Sequence, residues 1–439
     1  MAADLTTTSG SVYQFLRQGN AHATLLQSQK TMEIHHMAKH IRPPPEHDDG
    51  DDMYDGSNKT VHPTKLCSMS LVATKTFLPY KSQTSSTAVG VSTDVSPSDT
   101  FLVHNFGDYL FLFPYDDIQT PLDIMKFTQT PMCHDFRVPM LPTQPTNLVL
   151  ALASSDILVF DPLHGLDTAT HHNREGAICA SPITATTWVK QSHTQFVVAH
   201  ANGAMYIYDH TFHDESSDSM DVEQPEGEFT LLRQREDRTN PLMCWQVSTQ
   251  ALLDVAFSPN GKYLACVGKT GLLSVFQYHM QRKIAMMQSH FGALTCLSWS
   301  PNSLYILTGG QDDTVIVWSL QHNMAVARCE GHVSWITSVA FDPWFSSLTA
   351  LRFGSVGEDG LLCLWDFALP QPDDTKLYEL TPVLRTAVAG GTPLAHVVFR
   401  ADSIAVSARD GTVLVYARPP DDALPSPVLA QTVPSYSFN

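Results

Sequence analysis

Across most of the chain, apolar residues recur in short runs with period two, each halted by Pro, Asn, Asp or Gly. Leu253-Asp254-Val255-Ala256-Phe257-Ser258-Pro259-Asn260-Gly261, Leu297-Ser298-Trp299-Ser300-Pro301-Asn302 and Val339-Ala340-Phe341-Asp342-Pro343 show the pattern. Successive side chains of a strand face opposite ways, so such runs predict short β-strands ended by turns. The strands come in repeating sets. Gly309-Gly310-Gln311-Asp312-Asp313-Thr314-Val315-Ile316-Val317-Trp318 recurs in outline as Ser355-Val356-Gly357-Glu358-Asp359-Gly360-Leu361-Leu362-Cys363-Leu364-Trp365-Asp366. Each is a strand, a tight turn and a second strand that closes on an aromatic residue.

Weaker copies close on Phe113, Phe160, Tyr208, Phe276 and Tyr416. Six residues before the closing aromatics stand the turn residues Gly107, Ser154, Asn202, Thr270, Asp312, Asp359 and Asp410. Successive aromatics lie 47, 48, 68, 42, 47 and 51 residues apart, and the one long interval contains an acidic run. A single small meander cannot bury both faces, whereas a ring of such sheets stacks face against face and leaves only short edges. Seven copies at this period predict an all-β protein, a seven-bladed propeller of the WD40 type. The propeller is placed at residues 61–418, with an acidic loop inserted at 212–238. Segment 1–60 is predicted to be largely flexible, with an element in residues 4–16 docking on the ring to close it. Residues 81–99 read as a loop of the first blade, and the Pro-rich tail 419–439 as loose.

Charge changes the picture locally. Among 439 residues, 44 acids stand against 26 bases, a net charge of −18, but the excess is concentrated at 46–55 and 214–228. The remaining propeller is only mildly acidic, so nothing offers a general affinity for nucleic-acid backbone. The 8 cysteines form no Cys-x-x-Cys pair and lie mostly in apolar strand runs, which suits buried thiols in a reducing compartment. With neither a leader-like N-terminus nor an apolar run of about 18 residues, the expectation is a soluble protein of cytoplasm or nucleus, without a membrane partner.

Catalytic and metal-binding chemistry finds little support. His35-His36, His171-His172 and Cys133-His134-Asp135 lack zinc-site spacing, and adjacent residues of a strand cannot converge on one substrate. Asp51-Asp52-Met53-Tyr54-Asp55-Gly56 resembles the start of a calcium loop, but Met53 occupies the third ligand position and His62 the twelfth. The expectation is no enzyme, no metal and no cofactor. Two sets of residues instead suggest a buried relay: His290, Thr308, Asp312 and Trp318, then His332, Ser355, Asp359 and Trp365. An indole N–H, a hydroxyl, an imidazole and a carboxylate can bond in series, a structural role in which losing the carboxylate costs roughly 1–3 kcal/mol.

The surface is more informative. His332-Val333-Ser334-Trp335-Ile336 and His290-Phe291-Gly292-Ala293-Leu294 are loops that lead into core strands of blades six and five. Phe291 and Trp335, large aromatics in corresponding loops of adjacent blades, predict one exposed apolar patch with the anatomy of a protein-binding hot spot. The acidic run carries Ser216, Ser217 and Ser219, for which a solvated insert is a simpler reading than a phosphorylation platform.

Several strings are not generic repeat text: Pro131-Met132-Cys133-His134-Asp135-Phe136, Phe196-Val197-Val198-Ala199-His200-Ala201-Asn202-Gly203-Ala204-Met205-Tyr206, Asn240-Pro241-Leu242-Met243-Cys244-Trp245, Ser289-His290-Phe291-Gly292, His332-Val333-Ser334-Trp335 and Arg352-Phe353-Gly354-Ser355-Val356-Gly357-Glu358-Asp359. In this order they resemble the family that contains the dystrophia myotonica WD-repeat protein, its animal paralogues and the fungal catabolite-repression protein CreC. The resemblance covers roughly residues 60 to 418 and is strongest from 240 to 366. It implies a non-catalytic adaptor that binds a ubiquitin-specific protease and activates or stabilises it, with a second WD-repeat protein as a further candidate partner. Phe291 and Trp335 match aromatic positions that would contact the protease. The alternative is a WD40 scaffold that reads a peptide, plain or modified, at the central pore of another multiprotein complex. The chain departs from the pattern at Pro301-Asn302-Ser303, where a Gly usually completes the turn.

Overall fold

The computed structural model describes residues 28–32, 67–73 and 100–417, apart from 116–117, 119–120, 138–145, 164–165, 167–168, 216–219, 224–228, 236–237, 290, 348 and 370–375. The alternating runs become antiparallel sheets that form the seven blades of a β-propeller. In blade five, Leu294–Trp299, Tyr305–Gly310, Thr314–Ser319 and Met324–Glu330 pair in sequence as a meander. Blade six repeats this with Ile336–Phe341, Ala350–Gly357, Leu361–Ala368 and Leu384–Ala387. The aromatics Phe113, Phe160, Tyr208, Phe276, Trp318 and Trp365 are all buried in the third strand of a blade, and Tyr416 is partly buried in the seventh.

The core is divided among the seams. Seven apolar clusters each straddle the junction of two neighbouring blades. Between blades five and six, for example, Leu307, Val315 and Val317 meet Phe341, Phe353 and Trp365. Met69, Phe106 and Phe113 of blade one meet Ala405, Val413 and Val415 of blade seven, so the ring closes through packing as well as hydrogen bonds. Polar bonds also cross the seams. Asp254 of blade four accepts the Leu297 amide at 2.9 Å, and Trp299 Nε1 donates back to the Ala256 carbonyl at 3.1 Å.

Three features differ from the sequence reading. The strand that completes blade seven is Ser28–Met32, inside the segment expected to be largely flexible, and it runs antiparallel to Val413–Tyr416. The proposed closing element at residues 4–16 lies outside the described residues, as do 43–58, 81–99, His35-His36 and the tail. The second difference concerns the insert at 212–238, which is not simply a loop. Its strands Met220–Glu223 and Thr230–Gln234 extend blade three to six strands, because Leu231 and Leu232 pack into the cores on either side. Thirdly, Ser303 adopts the left-handed conformation, φ 60°, expected of a glycine, and its hydroxyl accepts the Asn260 amide of blade four at 3.2 Å. The serine thus adds a bond between blades that glycine cannot make.

The innermost strands surround a central cavity of about 150 Å³ lined by residues such as His134, Thr186, Asp254, Thr295, Thr337 and His396. Within Cys133-His134-Asp135 the pleat separates the side chains. Asp135 accepts the amides of Phe136 (2.9 Å) and of Trp188 in blade three (2.8 Å), whereas His134 turns toward His104 and His396. His172 pairs with Asp214 at 2.9 Å, and its neighbour His171 faces solvent. Among the described residues no cluster of three or more His, Cys, Asp or Glu is placed to hold a metal ion. No helix there is long and apolar enough to cross a membrane.

Candidate functional site

The site is built from two loops that enter blades five and six and from the turns that hold them. In blade six, Trp365 Nε1 donates to Ser355 Oγ at 2.9 Å, and Ser355 donates to His332 Nε2 at 2.8 Å. His332 Nδ1 then donates to Asp359 Oδ2 at 2.9 Å. This direction gives every group in the series a partner of the right kind. The His332 and Asp359 side chains are 1% and 3% exposed. Burial would raise the Asp359 pKa, but the His332 hydrogen bond and the amides of Val333 and Leu361 outweigh it and hold the carboxyl below its ordinary value.

The relay also shapes the loop. Asp359 Oδ2 accepts the Val333 amide at 2.9 Å, and the Glu358 amide donates to the Trp335 carbonyl, also at 2.9 Å. Residues 333–335 are therefore tied at both ends to the turn 357–360. Gly357 is required there, since a Cβ would lie 2.9 Å from the Trp335 carbonyl and from Asp359 Oδ1.

In blade five, Trp318 Nε1 donates to Thr308 Oγ1 at 2.8 Å, the inner half of the equivalent series. Asp312 Oδ1 accepts the Thr314 amide at 3.4 Å, and burial raises its pKa against the opposing pull of that amide and Arg328. His290 lies outside the described residues. The following loop is pinned by Gln311, whose amide donates to the Ala293 carbonyl at 3.0 Å while its Oε1 accepts the Ala293 amide at 3.3 Å. Gly292 takes φ +69° and passes so close that a Cβ would sit 3.2 Å from that of Gln311.

These braced loops present apolar side chains to solvent. Phe291 is 78% exposed and Trp335 39%. Val333, 67% exposed, belongs to the same loop as Trp335 and adds to its apolar surface. Sequence reasoning missed Val333, although an aliphatic residue directly after Gly331-His332 was a signal available to it. Both loops connect the outer strand of one blade to the inner strand of the next, so topology places them on the same rim of the ring. Rigid loops that hold aromatic groups in water make a surface for protein contact, because little ordering entropy remains to oppose binding.

Residues 281–319 and 324–366 match the WD domain, G-beta repeat family, which spans blades five and six. The chain is 32% identical over 348 residues to WD repeat-containing protein 20 of Mus musculus, an alignment covering 66% of this chain and 60% of the mouse protein. The chain thus spans about 60% of the length of the curated relative it matches. Sequence, fold and likeness converge: the chain is a seven-bladed β-propeller that carries WD40 repeats.

Proposed function

We propose that this protein is a non-catalytic adaptor that binds a ubiquitin-specific protease and raises or stabilises its activity. The observation that carries the reading is the exposure of Phe291 and Trp335 on braced loops of adjacent blades. The resemblance noted in the sequence supplies the class of partner, and the likeness to mouse WD repeat-containing protein 20 supports an adaptor built on the same repeats. Phe291, Val333 and Trp335 enter apolar pockets of the protease and exclude water around them. The mechanism is a population shift: a surface that binds the active arrangement better than the inactive one raises turnover by that difference in affinity, without contributing a catalytic group. The same reading places the protein in cytoplasm or nucleus and makes a second WD-repeat protein a further candidate in the complex.

The runner-up, a peptide reader at the pore, has less support. Among the described residues, the cavity is lined chiefly by small polar and sulfur-bearing side chains, with two histidines and Asp254. The test is turnover of a fluorogenic ubiquitin substrate by a purified ubiquitin-specific protease titrated with the full chain. Wild type is expected to raise the rate, whereas Phe291→Ala with Trp335→Ala is expected to leave it at the protease's own level. Equal stimulation by both removes these residues from the site.

A further inference from the structure

The outermost strand of blade three, Met220–Glu223, stands at the free edge of a six-stranded sheet. It pairs on one side with Leu231–Gln234, register Met220↔Gln234 to Glu223↔Leu231, without a bulge. It contains neither Pro nor Lys, the residues that commonly blunt an edge. Other outer strands are better protected. Arg282–Gln288 of blade four starts with two bases and has an irregular register, and the outer strand of blade five is covered by Tyr378–Leu380.

The edge has a defined chemistry. Asp221 and Glu223 project on one face, 60% and 57% exposed, beside Arg235 and Arg233. Val222 projects on the other face, 63% exposed. Residues 214–238 carry nine acids against three arginines, so the local field stays negative after these pairs are counted. A second copy of this chain would bring acids against acids, which disfavours edge-to-edge pairing.

We propose that Met220–Glu223 is a docking edge for an extended segment of a partner protein in which basic residues alternate with apolar ones. The segment adds a seventh strand to blade three. Main-chain bonds supply its direction and register, basic side chains lie beside Asp221 and Glu223, and an apolar one covers Val222. Exposed arginine pairs hold these carboxylates only weakly, so they do not compete strongly with the incoming bases. This surface is independent of Phe291 and Trp335.

The test uses the full chain and a fluorescein-labelled peptide of alternating lysine and valine, read by anisotropy at low ionic strength, where surface charge acts over a longer range. Asp221→Lys with Glu223→Lys is expected to weaken binding at least about tenfold, since the edge then repels the bases. Peptides N-methylated at alternate amides, prepared in both phases, keep the charge; one phase is expected to lose binding and the other to retain it. Amide exchange is expected to slow at 220–223 on binding. Equal binding by both methylated peptides and the parent refutes strand addition, because the acidic field alone then suffices. Binding that survives the charge reversal, protection confined to another blade, or self-association through 220–223 overturns the assignment.

Discussion

Asp359→Ala separates the support of the site from its contact surface. The carboxylate accepts His332 Nδ1 at 2.9 Å and the amides of Val333 and Leu361 at 2.9 and 3.0 Å. Alanine leaves the His332 donor buried without an acceptor, a loss of about 2–3 kcal/mol for a charge-assisted bond. The two amides add less, because Val333 is exposed and its N–H can turn to water. A local loss of about 3 kcal/mol corresponds to roughly 100-fold faster amide exchange, since each 1.4 kcal/mol is tenfold. Hydrogen exchange should therefore accelerate at residues 333–335 and 361, while blades one and two keep wild-type protection. Urea denaturation should show a lower midpoint for Asp359→Ala than for wild type. Trp335→Ala, a change at the surface, should stay within about 0.5 kcal/mol. If Asp359→Ala exchanges like wild type at these amides, the relay does not brace the loop and the link drawn between them is wrong.

Acid should destabilise the fold before its carboxylates discharge. Burial, then His396 and His104, lowers the His134 pKa to about 3, and burial lowers that of His200 to about 4 against a bond to Ser181. Both lie below the unfolded value, so this stability is present above pH ~6.5 and is lost as pH falls toward the folded values. Asp366 acts oppositely: burial, offset in part by Arg352, raises it to about 6, so it binds its proton earlier when folded. Denaturation midpoints at pH 7.5 and 5 should differ by a net loss of about 2–3 kcal/mol, and an unchanged midpoint would contradict these burials. Below pH ~4 protonation of Asp359 adds to the loss, since its folded pKa is lowered. Gly292→Ala forces φ +69° on a Cβ already crowded by Gln311 and should cost about 1–2 kcal/mol. Partner binding should fall with it, measured by calorimetry, because Phe291 is misplaced. Deleting residues 28–32 leaves the Val413–Ala417 edge open, and light scattering should detect self-association absent from the full chain.

The blades were legible because stacking demands apolar side chains on both faces of most strands, and that demand is written as alternation closed by an aromatic. Phe113, Phe160 and Trp365 announce their seams in this way. The closing strand was not legible. Ser28-Gln29-Lys30-Thr31-Met32 completes an edge through main-chain bonds, which leave little imprint on side-chain pattern. The insert strands were hidden by charge, since Asp221, Glu223, Arg233 and Arg235 face solvent and only Leu231 and Leu232 mark the inner faces. In the site, Trp335 and Phe291 stood out because large aromatics are unusual in an exposed turn. Their bracing by Gln311 and Glu358 passes through main-chain groups or a single amide, and no residue-type pattern encodes it.

The most direct test of the adaptor reading is affinity capture from native cell lysate with peptide identification, using wild type and the Phe291→Ala, Trp335→Ala double variant as baits. The account predicts a ubiquitin-specific protease on the wild-type bait and its loss from the variant, with both baits equally folded by hydrogen exchange. Absence of any such protease from the wild-type bait, or its full recovery on the variant, would contradict the account.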